Sequence, residues 1–188
     1  MNSVDTSTRM VLTVIRHIRI ENPVATPRNF GHSKRFDARL LASQNPPPAP
    51  TLHFCTRVIG DMYIVVMEYI PGSRGSSVDP KAGGPPLPKN LQEVINLGVR
   101  EALCLLHQKG WVFGDLQEPN LLYLPDRDGG RVLLVDFEAV GPDGEARYSS
   151  CLNPNAKLCT SANRGMVMKK AHDYENLQLL LKRLPGRN

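Results

Sequence analysis

The sequence predicts an α+β fold in two parts: a small β-rich lobe over residues 1–70 and a mostly helical lobe over residues 71–188. Three observations predict it. β-branched and alternating apolar residues crowd the chain before residue 70, whereas helical spacing governs Asn90–Lys109 and Ala171–Leu184. Between those helical stretches stand two acidic turns joined by a short apolar hairpin. A stretch rich in Gly, Ser and Pro, Pro71–Pro88, separates the two parts.

Each element follows from local chemistry. Arg9–Ile20 carries Val11, Leu12, Val14, Ile15, Ile18 and Ile20, a partly alternating run that predicts a strand. Pro23 and Pro27 break regular structure after it. Phe36, Leu40 and Leu41 give helical spacing to Phe36–Ser43, and Pro46-Pro47-Pro48 ends that helix because proline offers no N–H. Leu52–Val58 and Met62–Ile70 predict two strands joined at Gly60-Asp61, a hairpin signal. Gly72, Gly75, Gly83 and Gly84 follow a strand but open no helix at phosphate-loop spacing, so they predict a flexible connection. Asn90 is the expected cap of a helix running to Lys109, with Leu91, Val94, Ile95, Ala102, Leu103 and Leu106 on its apolar face and Gly110 as its stop. Leu121–Leu124 and Arg131–Val135 predict short strands around the turn Pro125–Gly130. Residues 139–169 show little periodicity. The last helix turns Leu177, Leu180, Leu181 and Leu184 inward.

The chain has 188 residues and a formal charge of +5, unevenly placed. Residues 1–40 hold seven Lys/Arg against three acids, Arg164–Asn188 six against two, and the middle ten against thirteen. Basic ends can touch nucleic acid or anionic lipid. No dense Lys/Arg run with aromatics appears, so solvated faces are the better reading and a nucleic-acid partner is not expected. The acidic middle suits a site that holds a metal–nucleotide. Cys55, Cys104, Cys151 and Cys159 show no C-x-x-C spacing, which predicts reduced thiols in an intracellular protein, cytoplasmic or nuclear. Met1–Asp5 lacks the form of a signal peptide, and no apolar run nears the ~20 residues of a membrane span.

The densest chemistry lies in Trp111–Glu138. Its first turn reads Phe113-Gly114-Asp115-Leu116-Gln117-Glu118-Pro119-Asn120, and its second follows Val132-Leu133-Leu134-Val135 as Asp136-Phe137-Glu138. Asp115 sits between apolar stretches, where an unpaired carboxylate is costly to bury. Alone it reads as a turn residue accepting backbone N–H groups. With Asn120 five positions on and Asp136 twenty-one positions on, the set has the layout of phosphoryl transfer to a hydroxyl. Asp115 is then the proton acceptor, and Asn120 and Asp136 are oxygen donors of the type magnesium prefers. Glu138 reads either as a further acid beside the metal or as a solvated side chain.

These motifs resemble the catalytic loop and metal-binding turn of the protein-kinase-like superfamily. The Gly-Asp-Leu form and the Asp-Phe-Glu triplet are similar to small-molecule kinases related to choline kinase and the aminoglycoside phosphotransferases. Arg147-Tyr148 and His172-Asp173 look most like fungal-type protein-kinase-like domains. Leu106-His107-x-x-Gly110 resembles the end of the helix before the catalytic loop, and Val65–Gly72 the last strand and hinge of the smaller lobe. The resemblance covers roughly residues 36–184. It implies a reduced two-lobed protein-kinase-like fold, ATP and magnesium as cofactors, and adenine binding by the backbone of Glu68, Tyr69 and Ile70. It also implies that Asp173 receives backbone N–H groups of the catalytic loop.

Two departures stand against this pattern. Phe113 occupies the place of a histidine that packs on the Asp-Phe turn, which an aromatic ring can also do. No G-x-G-x-x-G and no Val-Ala-Ile-Lys strand precede the hinge. Lys34, Arg28 and Arg19 are the candidate replacements for the lysine, and Asp37 for its partner acid. The expected function is ATP- and magnesium-dependent transfer to a hydroxyl of a protein or small molecule. The alternative is a pseudokinase or truncated fragment that binds a nucleotide or a protein.

Overall fold

The computed structural model describes residues 10–15, 47–57, 63–70, 90–124, 130–153 and 156–184. The expected helix Phe36–Ser43, the residues Arg19, Arg28, Lys34 and Asp37, the Gly60-Asp61 turn and the Pro71–Pro88 connection lie outside them, as does most of the Pro125–Gly130 turn.

Strands β1 (Met10–Ile15), β2 (Leu52–Arg57) and β3 (Tyr63–Glu68) form an antiparallel sheet in the order β1-β3-β2. β3, rich in β-branched residues, is central. It pairs with β1 in the register Met10↔Glu68 to Ile15↔Tyr63 and with β2 through Cys55↔Val65 and Thr56↔Ile64. A bulge between Leu52 and Phe54 shifts the β2 register. Glu68 closes this sheet: its N–H donates to the Thr51 carbonyl at 2.8 Å, and its carboxylate accepts from the Thr51 N–H and hydroxyl.

Helix α1 (Leu91–Gln108) buries Leu91, Ile95, Val99, Ala102, Leu103 and Leu106, the stripe that the 3.6-residue period dictates. Asn90 holds the cap position through its carbonyl, which accepts from Val94 N–H, but its side chain makes no capping bond. Its backbone (φ −97°, ψ 18°) is not extended, so the expected side-chain cap is corrected here. Gly110 ends the helix at φ +80°, as expected.

The ribbon β4 (Trp111–Val112) with β7 (Gly141–Pro142) and the hairpin β5 (Leu121–Leu124) with β6 (Arg131–Leu134) follow α1 in the chain. Helix α2 (Lys170–Arg183) closes the larger part, with Leu177 and Leu180 fully buried. α1 packs against β6 and α2, and Gln92 ties the two helices by donating to the carbonyls of Leu181 and Leu184. The main core gathers the α1 stripe with Phe113, Leu116, Leu121, Val132, Leu134 and the α2 leucines.

Residues 140–153 and 156–168, aperiodic in sequence, are nonetheless knitted together. Met168 N–H donates to Ala146 at 2.8 Å and Tyr148 N–H to Met166 at 3.0 Å, so the excursion between them closes at its base. A second small core of Val112, Tyr148, Cys159, Ala162 and Met168 fills it. Among the described residues no helix is long and apolar enough to cross a membrane.

Candidate active site

The site is built on one buried carboxylate. Asp173, in the first turn of α2, is 0% exposed and accepts from Phe113 N–H at 2.8 Å, Gly114 N–H at 2.9 Å and His107 Nε2 at 2.9 Å. An anion there also suits the positive end of the helix. Three donors satisfy a charge that burial alone would make prohibitive. His107 is backed by the Tyr174 ring, edge-on at 5.1 Å, over which Arg100 stacks. Asp173 thus has the loop-holding role that the family resemblance implied.

The two amides held by Asp173 fix the entry to the loop. Gly114 lies at φ +80°, and a Cβ there would come within 2.3 Å of Met168 Cε. The left-handed backbone is what favours glycine here, since the Met168 methyl is the end of a flexible side chain that can shift. Phe113 turns the other way, into the core, and meets the Phe137 ring edge-on at 5.7 Å. The expected aromatic packing on the Asp-Phe turn is therefore present.

Beyond Gly114 the chain presents Asp115, half-buried, between buried Gly114 and Leu116. One carboxylate oxygen, Oδ2, accepts from Asn120 Nδ2 at 2.9 Å, and the same amide reaches the Asp115 carbonyl at 2.8 Å. The other, Oδ1, accepts from Gln117 Nε2. Burial pushes the Asp115 carboxyl above its ordinary value; the Gln117 and Asn120 amides pull it down, and nearby Asp136 pushes it up again. Asp115 and Asn120, paired in the sequence reading, are in direct contact.

Asp136 arrives from the end of β6. Leu134 N–H bonds to the Pro48 carbonyl and Val135 N–H to the Asn120 carbonyl at 3.0 Å, which locks the second turn to the first. Asp136 then adopts φ 60°, ψ 76°, and is the non-glycine residue of the described chain with positive φ. Such strain is held only where surroundings enforce it, and it concentrates at functional sites. Among the described residues its exposed side chain makes one weak bond, from Glu138 N–H at 3.3 Å.

Asn120 and Asp136 carry oxygen donors of the type magnesium takes, and among the described residues no group of three His, Cys, Asp or Glu side chains gathers as a metal site. Asn120 spends its Nδ2 on Asp115, which leaves Oδ1 as the ligand-type atom, and Asp136 offers a solvent-facing carboxylate of the hard oxygen type this ion takes. Glu68, Tyr69 and Ile70 stand at the end of β3, where Ile70 is buried and the Glu68 N–H is committed to Thr51. β1, the strand beside β3, reads Met-Val-Leu-Thr-Val-Ile and carries no cation. Gln117 escaped the sequence reading. An Asp-x-Gln spacing signals a contact only once the backbone between them is known to be extended.

No family model matches the chain, and no curated protein matches it by sequence. Solved structures do match. The kinase PK-1 of Cydia pomonella granulovirus is similar over 96% of this chain and 62% of its own, with 17% identity and a TM-score of 0.69. The PknI kinase domain of Mycobacterium tuberculosis is similar over 93% of this chain and 63% of its own, with 19% identity and a TM-score of 0.59. At such identities the likeness establishes the fold, and this chain spans less than two thirds of either kinase.

Proposed function

The chain has a protein-kinase-like fold, and on that fold we propose an ATP- and magnesium-dependent phosphotransferase acting on a hydroxyl. The observation that carries this reading is the assembly of Asp115, Asn120 and Asp136 by loops that bond to one another and to Asp173. Asp115 takes the proton of the attacking hydroxyl as its oxygen forms the new bond to the γ-phosphorus and ADP leaves. Asn120 and Asp136 would hold the metal, which when bound neutralises phosphate charge. The backbone of Glu68–Ile70 would receive the adenine.

One observation favours a second reading, a pseudokinase that binds nucleotide without turnover: β1 brings no lysine or arginine to the sheet beside the hinge strand. A lost preorganised donor to developing negative charge typically costs ~10²–10³ in rate. The expected behaviour is therefore weak nucleotide binding and slow transfer.

Thermal melting with millimolar ATP tests both. A nucleotide at a hundred times its Kd stabilises by ~2.7 kcal/mol, or roughly 5–11 °C here at ~2–4 °C per kcal/mol. A smaller, magnesium-dependent shift is expected, abolished in Asp136→Ala. Retention of the full magnesium dependence by that variant removes Asp136 from the metal site. No shift with any nucleotide refutes the kinase reading and the nucleotide-binding pseudokinase alike. Where transfer is measured, its acid limb should lie above pH 3.8, the ordinary Asp value, because Asp115 is held above it.

A further inference from the structure

The geometry points to Gln117 as a positioning residue for phosphoryl transfer: its carboxamide fixes the rotamer of Asp115 from the side opposite Asn120. This rests on the phosphotransferase reading and adds a residue to it. Gln117 is extended (φ −135°, ψ 162°), and Leu116 before it is fully buried. Successive side chains of extended backbone alternate. Leu116 is buried in the core while Asp115 and Gln117 on either side of it are half-buried, and the bond between them places these two on one side of the chain.

The contacts close a ring. Gln117 Nε2 donates to Asp115 Oδ1, Asn120 Nδ2 donates to Asp115 Oδ2, and Asn120 N–H donates back to the Gln117 carbonyl at 3.0 Å. The turn Glu118–Asn120, with Pro119 at its start, holds the ring's two arms at fixed spacing. With Asn120 alone the carboxylate is tethered at one oxygen and can swing about that bond. The second amide, on the other oxygen, removes that freedom and leaves the remaining lone pairs aimed at a fixed place. Gln117 touches neither acceptor nor phosphate in this role; it acts through Asp115. Among the described residues no cationic side chain bonds Asp115, so the positioning is done by neutral amides.

Two measurements on the full chain decide it. The Gln117 side-chain N–H resonances should be displaced from those of a free carboxamide and should return toward them in Asp115→Ala. Gln117→Met keeps the volume and removes the donor. It should lower kcat by about 10²-fold, as misplacing a reacting group by ~1 Å does, while KM for ATP stays within about twofold. Gln117→Glu, which sets two carboxylates against each other, should lose at least as much. A free-like carboxamide in an active wild type overturns the role of Gln117 alone, and so does a Gln117→Met enzyme with unchanged kcat. A displaced carboxamide in a wild type with no transfer to any acceptor overturns the role together with the reading it rests on.

Discussion

The two acidic turns and the three-stranded sheet make an instructive contrast. In the turns, the loops that carry the groups expected to act are held: Asp115 by two amides, the backbone just before the exposed Asp136 by Asn120, and the first loop itself by Asp173. In the sheet, the backbone geometry is in place, with β1 and β2 flanking β3 and Glu68 closing the end. Its β1 strand carries no lysine or arginine, whereas β2 ends in Arg57, opposite Tyr63 of β3. The turns proposed to move a proton are bonded to one another, whereas the described β1 beside β3 brings no cation for the phosphates of a nucleotide. Fold and chemistry are thus specified separately, since a sheet needs only backbone pairing and apolar faces, whereas a phosphate clamp needs one particular cation.

The largest effect should come from the turns. Asp115→Asn should reduce transfer by ~10²–10⁴-fold, the range of general acid–base contributions, with ATP affinity within a few-fold. Equal loss of affinity and rate would make Asp115 a structural brace and dissolve the contrast. Next is Asp173→Ala, which orphans two buried amides and the part-buried His107. At ~1 kcal/mol each, stability should fall by about 3 kcal/mol, or roughly 6–12 °C in melting temperature. A melting point unchanged within 1–2 °C (about 0.5 kcal/mol on the same scale) would mean that the loop is held by something else.

The smallest effect sharpens the contrast from the sheet side. Lysine placed singly at Val11, Leu12, Thr13 and Val14 samples both faces of β1, since alternate residues face opposite ways. On whichever face reaches a bound nucleotide it should tighten binding of ATP about tenfold, at ~1.4 kcal/mol for a charge-assisted bond. If none of the four improves binding in calorimetric titration, the weak point of the site lies outside this strand.

Much of this was legible in the sequence, because it is encoded locally. The 3.6-residue stripes of α1 and α2 and the apolar runs of β5 and β6 are short-range patterns, and their observed bounds lie within about two residues of those expected. Asp115, Asn120 and Asp136 could be singled out because their types and spacing are chemical. The segment 140–168 could not be read, for its order comes from afar. Cys159 N–H bonds to Asn176, and Tyr148, whose phenol is pushed far above its usual range by burial and so stays protonated, bonds to His172. Neither pair leaves a period. Gln117 was invisible for a related reason: its partner is two residues away, but the contact exists only because Leu116 is buried between them.

Asp173 has a further consequence, in time rather than in space. Phe113 and Gly114 belong to a loop, and loop amides ordinarily trade their hydrogens with water through small local fluctuations. Here the acceptor of both is a carboxylate rooted in α2, three residues from Asn176 and four from Leu177, all fully buried. Releasing either hydrogen requires the helix to lift from the core. The two amides should therefore exchange with deuterium at the pace of the α2 interior, slow islands in an otherwise fast-exchanging turn, and the turn and the helix should be lost together as one cooperative unit.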